Sequence, residues 1–178
     1  MISDEIIEGC IREDRLCQQQ LFNHYAGKML SLCIRYCGNR ASAEDVLQDG
    51  FIRVFDNLSS FRKEGSFDGW IRRIFVNTAL TSLRKSWLKF ENTPLETVHY
   101  EPEDNSLTDK YSVQNIHSHI AEMPPGYRTI FNLFAVEGYS HSEIAAMVGI
   151  AESTSRSQFF KARQMLRQKL NSQEVTYL

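Results

Sequence analysis

The stretch Phe61–Asn77 holds residue types that could bind unpaired nucleic-acid bases, because four aromatic side chains stand there among arginines and lysines. Bases stack on aromatic faces while cations hold the phosphate backbone, and each stacked base contributes roughly 1–3 kcal/mol to binding. A hydrophobic core is the alternative use of the same rings. Helical spacing places Trp70 and Phe75 on the inward stripe, which favours the core, and leaves Phe61 and Phe67 open between core and ligand.

A second candidate site is the segment His141–Phe160, which has the pattern of a helix-turn-helix. Ser140 followed by Glu143 predicts a capping box at the start of a short helix. Gly149 then supplies the positive φ that a tight turn requires. The pattern predicts that a second helix follows and lies in the major groove of DNA.

The second helix is predicted to begin near Ser153 or Thr154. One residue departs from the usual pattern, since Ser155 stands where such helices commonly bury valine or isoleucine. An ordinary helical hairpin with a solvated basic face is the alternative interpretation. The side chains predicted to contact bases and phosphates are Ser153, Thr154, Arg156, Ser157, Phe160 and Lys161.

The distribution of charge indicates two separate contacts with one polyanion. The 20 basic and 22 acidic residues give a net charge of −2, which disfavours indiscriminate nucleic-acid binding. Seven cations and two acids lie in residues 62–89, and five cations and no acid in residues 153–170. Between these basic segments, residues 91–109 contain six acids and no cation. The two basic segments coincide with the two candidate sites.

The four cysteines and the absence of catalytic motifs disfavour an enzyme or a metalloprotein. In a reducing compartment the cysteines are expected to be small buried hydrophobic residues. A site built from Cys33, Cys37 and His24 is conceivable, but no C-x-x-C pair or second cluster supports it. No zinc-protease motif, nucleophile elbow or phosphate loop is present. We therefore expect no enzymatic activity, no metal and no cofactor.

The chain is predicted to be cytoplasmic, with no membrane insertion. No run approaches the ~20 apolar residues of a membrane-spanning helix. The first ten residues are acidic, unlike a secretory signal peptide.

Helical periodicity dominates the whole sequence, so we predict an all-α fold of two small helical domains joined by a flexible acidic linker. The helices of the first half are expected at about Leu21–Cys37, from an N-cap at Ser42 onward, and at Phe67–Trp87. Four helices are expected after the linker, and the histidine pair at 117 and 119 is expected to be solvated. The predicted boundaries are 1–90 for the first domain, 91–112 for the linker and 113–178 for the second domain.

Two segments resemble one known family. Ala43–Lys85 is similar to region 2, and Met123–Leu170 to region 4, of the extracytoplasmic-function (ECF) sigma factors of bacterial RNA polymerase, within the sigma-70 family. The acidic segment falls where that family has its connector. The resemblance implies a protein that binds core polymerase, recognises the −10 and −35 promoter elements, melts DNA and so initiates transcription.

The resemblance also implies a role for individual residues. The loop Asn57–Ser66 would capture a base flipped from the non-template strand, and the helix of the second candidate site would read the −35 element. Contact with the β′ subunit is implied for one helical face: Asp45, Gln48, Asp49, Arg53 and, as an apolar residue among them, Ile52. Contact with −10 DNA is predicted for Phe61, Arg62, Lys63, Ser66, Phe67, Trp70, Arg73, Asn77, Arg84 and Lys85.

The partners that the resemblance implies are core RNA polymerase, through its β′ and β subunits, promoter DNA, both duplex and melted non-template strand, and an anti-sigma factor. Thr81, the pair Phe75 and Val76, and Gln158 depart from residues common in the family, which bears on the promoter sequence. Two other functions remain open at this point. One is a two-domain regulator of duplex DNA that needs no polymerase, and the other is a sigma-like interaction module or antagonist.

Overall fold

The computed structural model describes residues 2–87 and 118–174, apart from the side chains of residues 85–87 and 171–174. These residues form helices and turns and no strand, which confirms the all-α prediction. The chain divides into two compact units, Met1–Ser82 and Leu83–Leu178. The predicted linker lies outside the described residues, and the domain boundaries given above stay a prediction.

The first half of the chain forms four α-helices and one short 3₁₀ turn. The turn spans Leu58–Ser60 and is followed by an irregular loop over residues 61–66. The predicted helix over Phe67–Trp87 is confirmed with the same bounds. The four helices are α1 (Asp4–Ile11), α2 (Arg15–Cys37), α3 (Arg40–Asn57) and α4 (Phe67–Trp87).

The second half begins, in the described part, with a helical turn at residues 118–121. A π-helical turn, Asn132–Val136, continues the next helix and precedes Gly138, which has a φ of 81°. The helices of this half are α5 (Pro125–Phe131), α6 (His141–Val148) and α7 (Glu152–Glu174).

The junction between α2 and α3 corrects one prediction. Gly38 ends α2 in the left-handed conformation, with a φ of 78°. Asn39 then caps α3, because its side-chain oxygen accepts a hydrogen bond of 2.9 Å from the Ser42 backbone N–H. The sequence predicts Ser42 as the N-cap, but Asn39, three residues earlier, already has the extended backbone and the acceptor that a cap needs. The helix therefore begins three residues earlier, at Arg40.

The core of the first unit includes a close contact between α3 and α4. Phe75 of α4 is fully buried, and its ring packs edge-on against Phe51 of α3 at 5.2 Å between centroids. A Cβ built on Gly50 of α3 would stand 2.2 Å from the same ring. Glycine is therefore required at position 50, because any side chain would push the two helices apart.

The core of the second unit includes polar side chains that the sequence patterns did not identify. The apolar cluster includes Phe131, Leu166 and Leu170. Arg128 is buried beside it and donates hydrogen bonds to the carbonyls of Ala121 and Met123, so it satisfies backbone groups where a helical turn ends.

His119 corrects a second prediction, because it is buried and not solvated. The expectation rested on its spacing from the preceding histidine, which lies outside the described residues. The imidazole of His119 packs 3.9 Å from the Glu122 carboxylate, and Lys169 of α7 pairs with that carboxylate. The hydrogen bond and charge of Lys169 hold the pKa of Glu122 below its usual value.

A pair of glycine substitutions tests the contact between α3 and α4. Gly27 of α2 has open space around its Cβ position, so Gly27→Ala should raise the free energy of unfolding of the first unit by up to about 1 kcal/mol. Gly50→Ala should lower it by about 1–3 kcal/mol, because the new methyl group meets the Phe75 ring. Urea unfolding followed by Trp70 fluorescence in a Trp87→Phe background measures both. Equal stabilisation by the two substitutions would contradict the close contact.

Candidate nucleic-acid interface

An open pocket of about 390 Å³ lies between the loop 61–66 and the first turns of α4. It brings together five of the residues predicted to contact −10 DNA. Arg62 and Arg73 supply positive charge, and Glu64 faces the same space. The residues that line the pocket are Ser60, Phe61, Arg62, Glu64, Ser66, Gly69, Trp70 and Arg73.

Three aromatic rings form a connected group behind this pocket. Phe61, Phe67 and Trp70 are each half-buried, and the three distances between their ring centroids are 5.1–5.5 Å. Phe67 also contacts the buried ring of Tyr25 in α2 at 5.8 Å, which fixes the group to the core. The rings therefore form a wall that is rigid on one side and open to a ligand on the other.

Trp70 corrects the assignment of this tryptophan to the core. Trp70 and Phe75 are five residues apart on α4, which turns their side chains about 140° from one another. Phe75 is fully buried, whereas Trp70 lines the pocket. Of the four aromatic residues in the stretch, one serves the core and three form the wall.

Ser66 has two roles at the start of α4. Its hydroxyl accepts a hydrogen bond of 3.1 Å from the Gly69 backbone N–H, which caps the helix, and the residue also lines the pocket. Sequence reasoning did not select Ser60, Glu64 or Gly69. The spacing of Ser66 and Gly69 was a usable signal, since a serine three residues before a backbone donor is a common N-cap arrangement.

Lys63 was predicted to contact DNA, but its side chain points to α1. Its ammonium lies 2.8 Å from the Asp4 carboxylate and 3.8 Å from the Glu8 carboxylate. The hydrogen bond to Asp4 raises the pKa of Lys63. Lys63 does not line the pocket, although both of its neighbours in sequence do.

The remaining residues predicted for −10 DNA lie along α4 beyond the pocket. Asn77 is exposed one turn after Arg73, and Arg84 is exposed two turns further on the same helical face. The side chain of Lys85 lies outside the described residues. The structure thus extends one polar face of α4 away from the pocket.

The polar face predicted to bind polymerase is exposed on α3. Its five residues follow the i, i+3, i+4, i+7 spacing of one helical face. Ile52 has 52% of its surface exposed at the middle of a polar surround, while Phe51 and Val54 beside it are buried. The face consists of Asp45, Gln48, Asp49, Ile52 and Arg53.

The helix-turn-helix is formed by α6 and α7. The predicted capping box is confirmed: the Glu143 backbone N–H donates to the Ser140 hydroxyl at 3.3 Å, and the Ser140 backbone N–H donates to the Glu143 carboxylate at 2.8 Å. The hydrogen bonds from Ser140 hold the pKa of Glu143 below its usual value. Gly149 closes α6 with a φ of 79°, as predicted. Helix α7 begins at Glu152, slightly earlier than expected.

The six residues predicted for the −35 element lie near the start of α7. Ser153 and Arg156 are exposed, and the other four are partly exposed. Arg156 pairs with Glu152 of the same helix, and the Ser157 hydroxyl donates to the Thr154 carbonyl at 3.0 Å. These six residues all lie on one side of the helix.

A histidine explains the unusual polar residue at position 155. Ser155 is fully buried, and its hydroxyl lies 2.9 Å from Nδ1 of His141, the first residue of α6. The imidazole stacks on Phe134 at 4.3 Å between centroids. Burial lowers the pKa of His141, and the nearby charge of Arg156 lowers it further. A polar contact therefore joins the two helices at a position where helix-turn-helix proteins commonly have an aliphatic contact.

The cysteines lie mostly in the core of the first unit. Cys10, Cys33 and Cys37 are buried, and none of the four cysteines forms a disulfide. Burial raises the pKa of Cys10 to about 11 and that of Cys33 to about 12, which makes these thiols poor nucleophiles. Within residues 2–87 and 118–174, no three histidine, cysteine or acidic side chains converge as metal ligands. No helix in this part of the chain is long and apolar enough to cross a membrane.

Comparison with known proteins gives a family match over each of the two segments that hold the candidate sites. Residues 21–88 match the family model of sigma-70 region 2, and residues 114–166 match that of sigma-70 region 4. The chain is 31% identical to the ECF RNA polymerase sigma factor SigE of Mycolicibacterium smegmatis, over 85% of this chain and 60% of that protein. It is 30% identical to the ECF sigma factor SigW of Bacillus subtilis, over 82% and 84% respectively.

A solved structure shows a similar fold. It contains the sigma factor RpoE in complex with the anti-sigma factor NepR from Bartonella quintana, with a TM-score of 0.51 and 21% identity. The alignment covers 86% of this chain and 96% of that chain.

The two regions together define a helical transcription factor of the sigma-70 type, with region 2 in the first half and region 4 in the second. The chain belongs to the ECF group of RNA polymerase sigma factors. Members of this family are transcription initiation factors and not enzymes: they bind core RNA polymerase and direct it to promoters.

The contact between His141 and Ser155 predicts a pH dependence. The unfolded chain has an ordinary histidine pKa near 6.5, above that of folded His141. Unfolded molecules therefore bind the proton first, so stability is complete above about pH 6.5 and falls as the pH drops toward the lower folded pKa. Amide hydrogen exchange of α6 and α7, compared at about pH 7.5 and about pH 5.5 and corrected for intrinsic rates, should show a severalfold loss of protection.

His141→Asn is the matched control for this experiment. Asparagine keeps a hydrogen-bonding group near Ser155 but does not titrate, so the variant should lose less protection over the same pH interval. An equal loss in the two proteins would show that His141 does not carry the pH dependence.

Proposed function

We propose that this chain, bound to core RNA polymerase, opens promoters by holding one flipped base of the non-template strand in the pocket beside α4. The observation that carries the proposal is the pocket itself, where an aromatic wall and two arginines meet in an open space of about 390 Å³. Stacking would hold the base, and Arg62 and Arg73 would hold the adjacent phosphates. Ser60, Ser66 and Glu64 also line the pocket, and their hydroxyl and carboxylate groups would hydrogen-bond the base edge.

The energies favour a role for the polymerase in melting. Extruding a base costs a few kcal/mol, while stacking returns roughly 1–3 kcal/mol per base. The net charge of −2 gives the free chain little general attraction to DNA. We therefore expect the free chain to bind DNA weakly and to open promoters only as part of the holoenzyme.

The polar face of α4 would continue the contact with −10 DNA. Asn77 and Arg84 follow Arg73 on that face, so they are placed to contact the strand or duplex upstream of the captured base. Lys85 is proposed to join them from its position in sequence. Phe67 acts from behind the pocket, by supporting the rings of Phe61 and Trp70.

Helix α7 is proposed to lie in the major groove of the −35 element. Arg156 could read a guanine through a bidentate pair of hydrogen bonds, once DNA replaces its ion pair with Glu152. Lys161 and the hydroxyls of Ser153, Thr154 and Ser157 would contact phosphates or base edges. Phe160 offers an apolar contact for a thymine methyl group.

The exposed face of α3 is proposed as the docking surface for the β′ subunit. An apolar side chain within a polar surround is the usual composition of a protein–protein contact, and Ile52 occupies that central position. Asp45, Gln48, Asp49 and Arg53 would supply the charged and hydrogen-bonding rim. Contact with the β subunit is proposed from family membership alone.

Regulation by an anti-sigma factor is also proposed. The similar sigma factor RpoE of Bartonella quintana was solved in complex with the anti-sigma factor NepR. A protein of that kind would hold this chain away from polymerase until a signal releases it. The chain would act in the cytoplasm, where RNA polymerase works.

Run-off transcription tests the proposed function directly. Purified chain added to core RNA polymerase should yield discrete promoter-directed transcripts from a genomic template library, and core alone should not. Trp70→Ala should reduce these transcripts about tenfold, because it removes part of the stacking surface. If no promoter-directed transcript appears anywhere in the library, the proposed function is wrong.

Docking through α3 is tested with two isoleucines of similar exposure. Ile52 is 52% exposed on α3 and Ile11 is 47% exposed at the end of α1. Ile52→Asp should weaken binding to core polymerase about tenfold or more, because it places a charge at the centre of the contact. Ile11→Asp should change the affinity by less than about twofold. Fluorescence anisotropy of labelled chain titrated with core polymerase measures both, and equal affinities would reject the α3 surface.

A further inference from the structure

We propose that Asp4 and Glu8 of α1 are positioning residues for the base-capture pocket: acting through Lys63, they hold the loop 61–66 in the conformation that forms the pocket. The inference rests on the proposed function of the pocket. It adds α1, which lies before the residues that match region 2, to the machinery that selects the −10 base.

The first observation is an ion-pair cluster between distant parts of the chain. The Lys63 ammonium lies 2.8 Å from one Asp4 oxygen and 3.8 Å from one Glu8 oxygen. Asp4 and Glu8 are four residues apart on α1, so they share one helical face and approach Lys63 from the same side. The loop is thereby tied to a helix more than fifty positions away in sequence.

The second observation is the backbone of Lys63. Its φ is 58°, in the left-handed region that costs free energy for any residue with a Cβ. Such a conformation persists only where surrounding contacts hold it. Gly65, two residues later, has a φ of 110°, which glycine adopts without that penalty. Lys63 is therefore the strained point of the loop, and its side chain is the part held by α1.

The third observation is the place of Lys63 in the sequence, between two residues that line the pocket. Arg62 and Glu64 both line the pocket, one on each side of Lys63 in sequence, while Lys63 itself does not. A change in the Lys63 backbone would therefore move both of these walls. Ser60, another lining residue, ends the 3₁₀ turn, and α1 packs against that turn as well.

Helix α1 is firm enough to act as a support. Ile7 and Cys10 of this helix are 3% and 4% exposed, and α1 also packs against α2. The acids face outward from this anchored helix. The ion pairs themselves are exposed, and exposed pairs of this kind shift a local equilibrium only about two- to fivefold. The expected effect is a change in loop order and base selection, with the fold intact.

The sequence-based role of Lys63 makes a distinct prediction for the same substitutions. If Lys63 is mainly a phosphate contact, Asp4 and Glu8 compete with DNA for it, and removing them should strengthen binding to every promoter. If they position the loop, removing them should weaken discrimination between the correct −10 base and the others. The first outcome changes binding to all promoters alike and the second changes the ratio between bases, so one experiment that measures both quantities separates them.

The experiment compares the full chain with the double variant Asp4→Asn, Glu8→Gln. The matched control, Glu5→Gln with Glu13→Gln, removes two acidic charges from α1 and the turn after it. Amide hydrogen exchange of residues 61–66 in the free chain should become about two- to fivefold faster in the double variant and stay unchanged in the control. A charge reversal, Asp4→Lys with Lys63→Glu in a Glu8→Gln background, should restore protection toward the wild-type level.

Transcription with core polymerase supplies the second readout. A promoter selected by the wild-type holoenzyme is compared with versions that carry each other base at the captured position. The ratio of correct to substituted transcripts should fall about two- to fivefold in the double variant and remain unchanged in the control. Unchanged loop exchange, or stronger transcription from all promoters alike, would overturn the proposal. Absence of transcripts with the wild-type chain would reject the sigma function, while loop exchange would still decide whether α1 holds the loop.

Discussion

The first unit depends on the contact between Gly50 of α3 and the ring of Phe75 in α4. Because Gly50 has no side chain, the Phe75 ring of α4 can pack directly against the backbone of α3. The outward face of α3 carries the surface proposed for polymerase, and the first turns of α4 carry the pocket. This buried contact therefore contributes to the spacing between the two proposed sites. Mutual rigidity of this kind lets binding at one surface place the other accurately on DNA.

The energies of the individual contacts explain why the two regions are used together. The aromatic wall is only half-buried and the recognition face of α7 is short, so each can supply a few kcal/mol of DNA binding. A net charge of −2 prevents general electrostatic attraction from adding much. Two modest contacts held in one chain give strong binding only when a common scaffold brings both to the same DNA. The holoenzyme is the assembly that we propose for this purpose.

Local signals in the sequence were sufficient for much of the architecture. The capping box at Ser140, the turn at Gly149 and the bounds of α4 follow from residues that are close in sequence, and each was predicted correctly. The N-cap at Asn39 was missed because Asn39 and Ser42, three residues apart, can both cap a helix and only the backbone decides between them.

Contacts between distant residues could not be predicted in the same way. The pairing of Lys63 with Asp4 joins residues 59 positions apart, and no pattern in either segment indicates it. The apolar stripe of α4 is broad enough to include both Trp70 and Phe75. It therefore does not show that their side chains point in different directions, which became evident only from the fold. The departure at Ser155 was visible in the sequence, but its partner His141 became evident only from the fold.

The buried pair of Ser155 and His141 has a consequence for chimeric proteins. Promoter preference is commonly transferred by exchanging a recognition helix between related proteins. A donor helix with valine at position 155 would place a methyl group where the imidazole now has the Ser155 hydroxyl, and would leave a polar ring in an apolar contact. An exchange of helix α7 should therefore include His141, the first residue of α6, so that residues 141 and 155 come from the same protein.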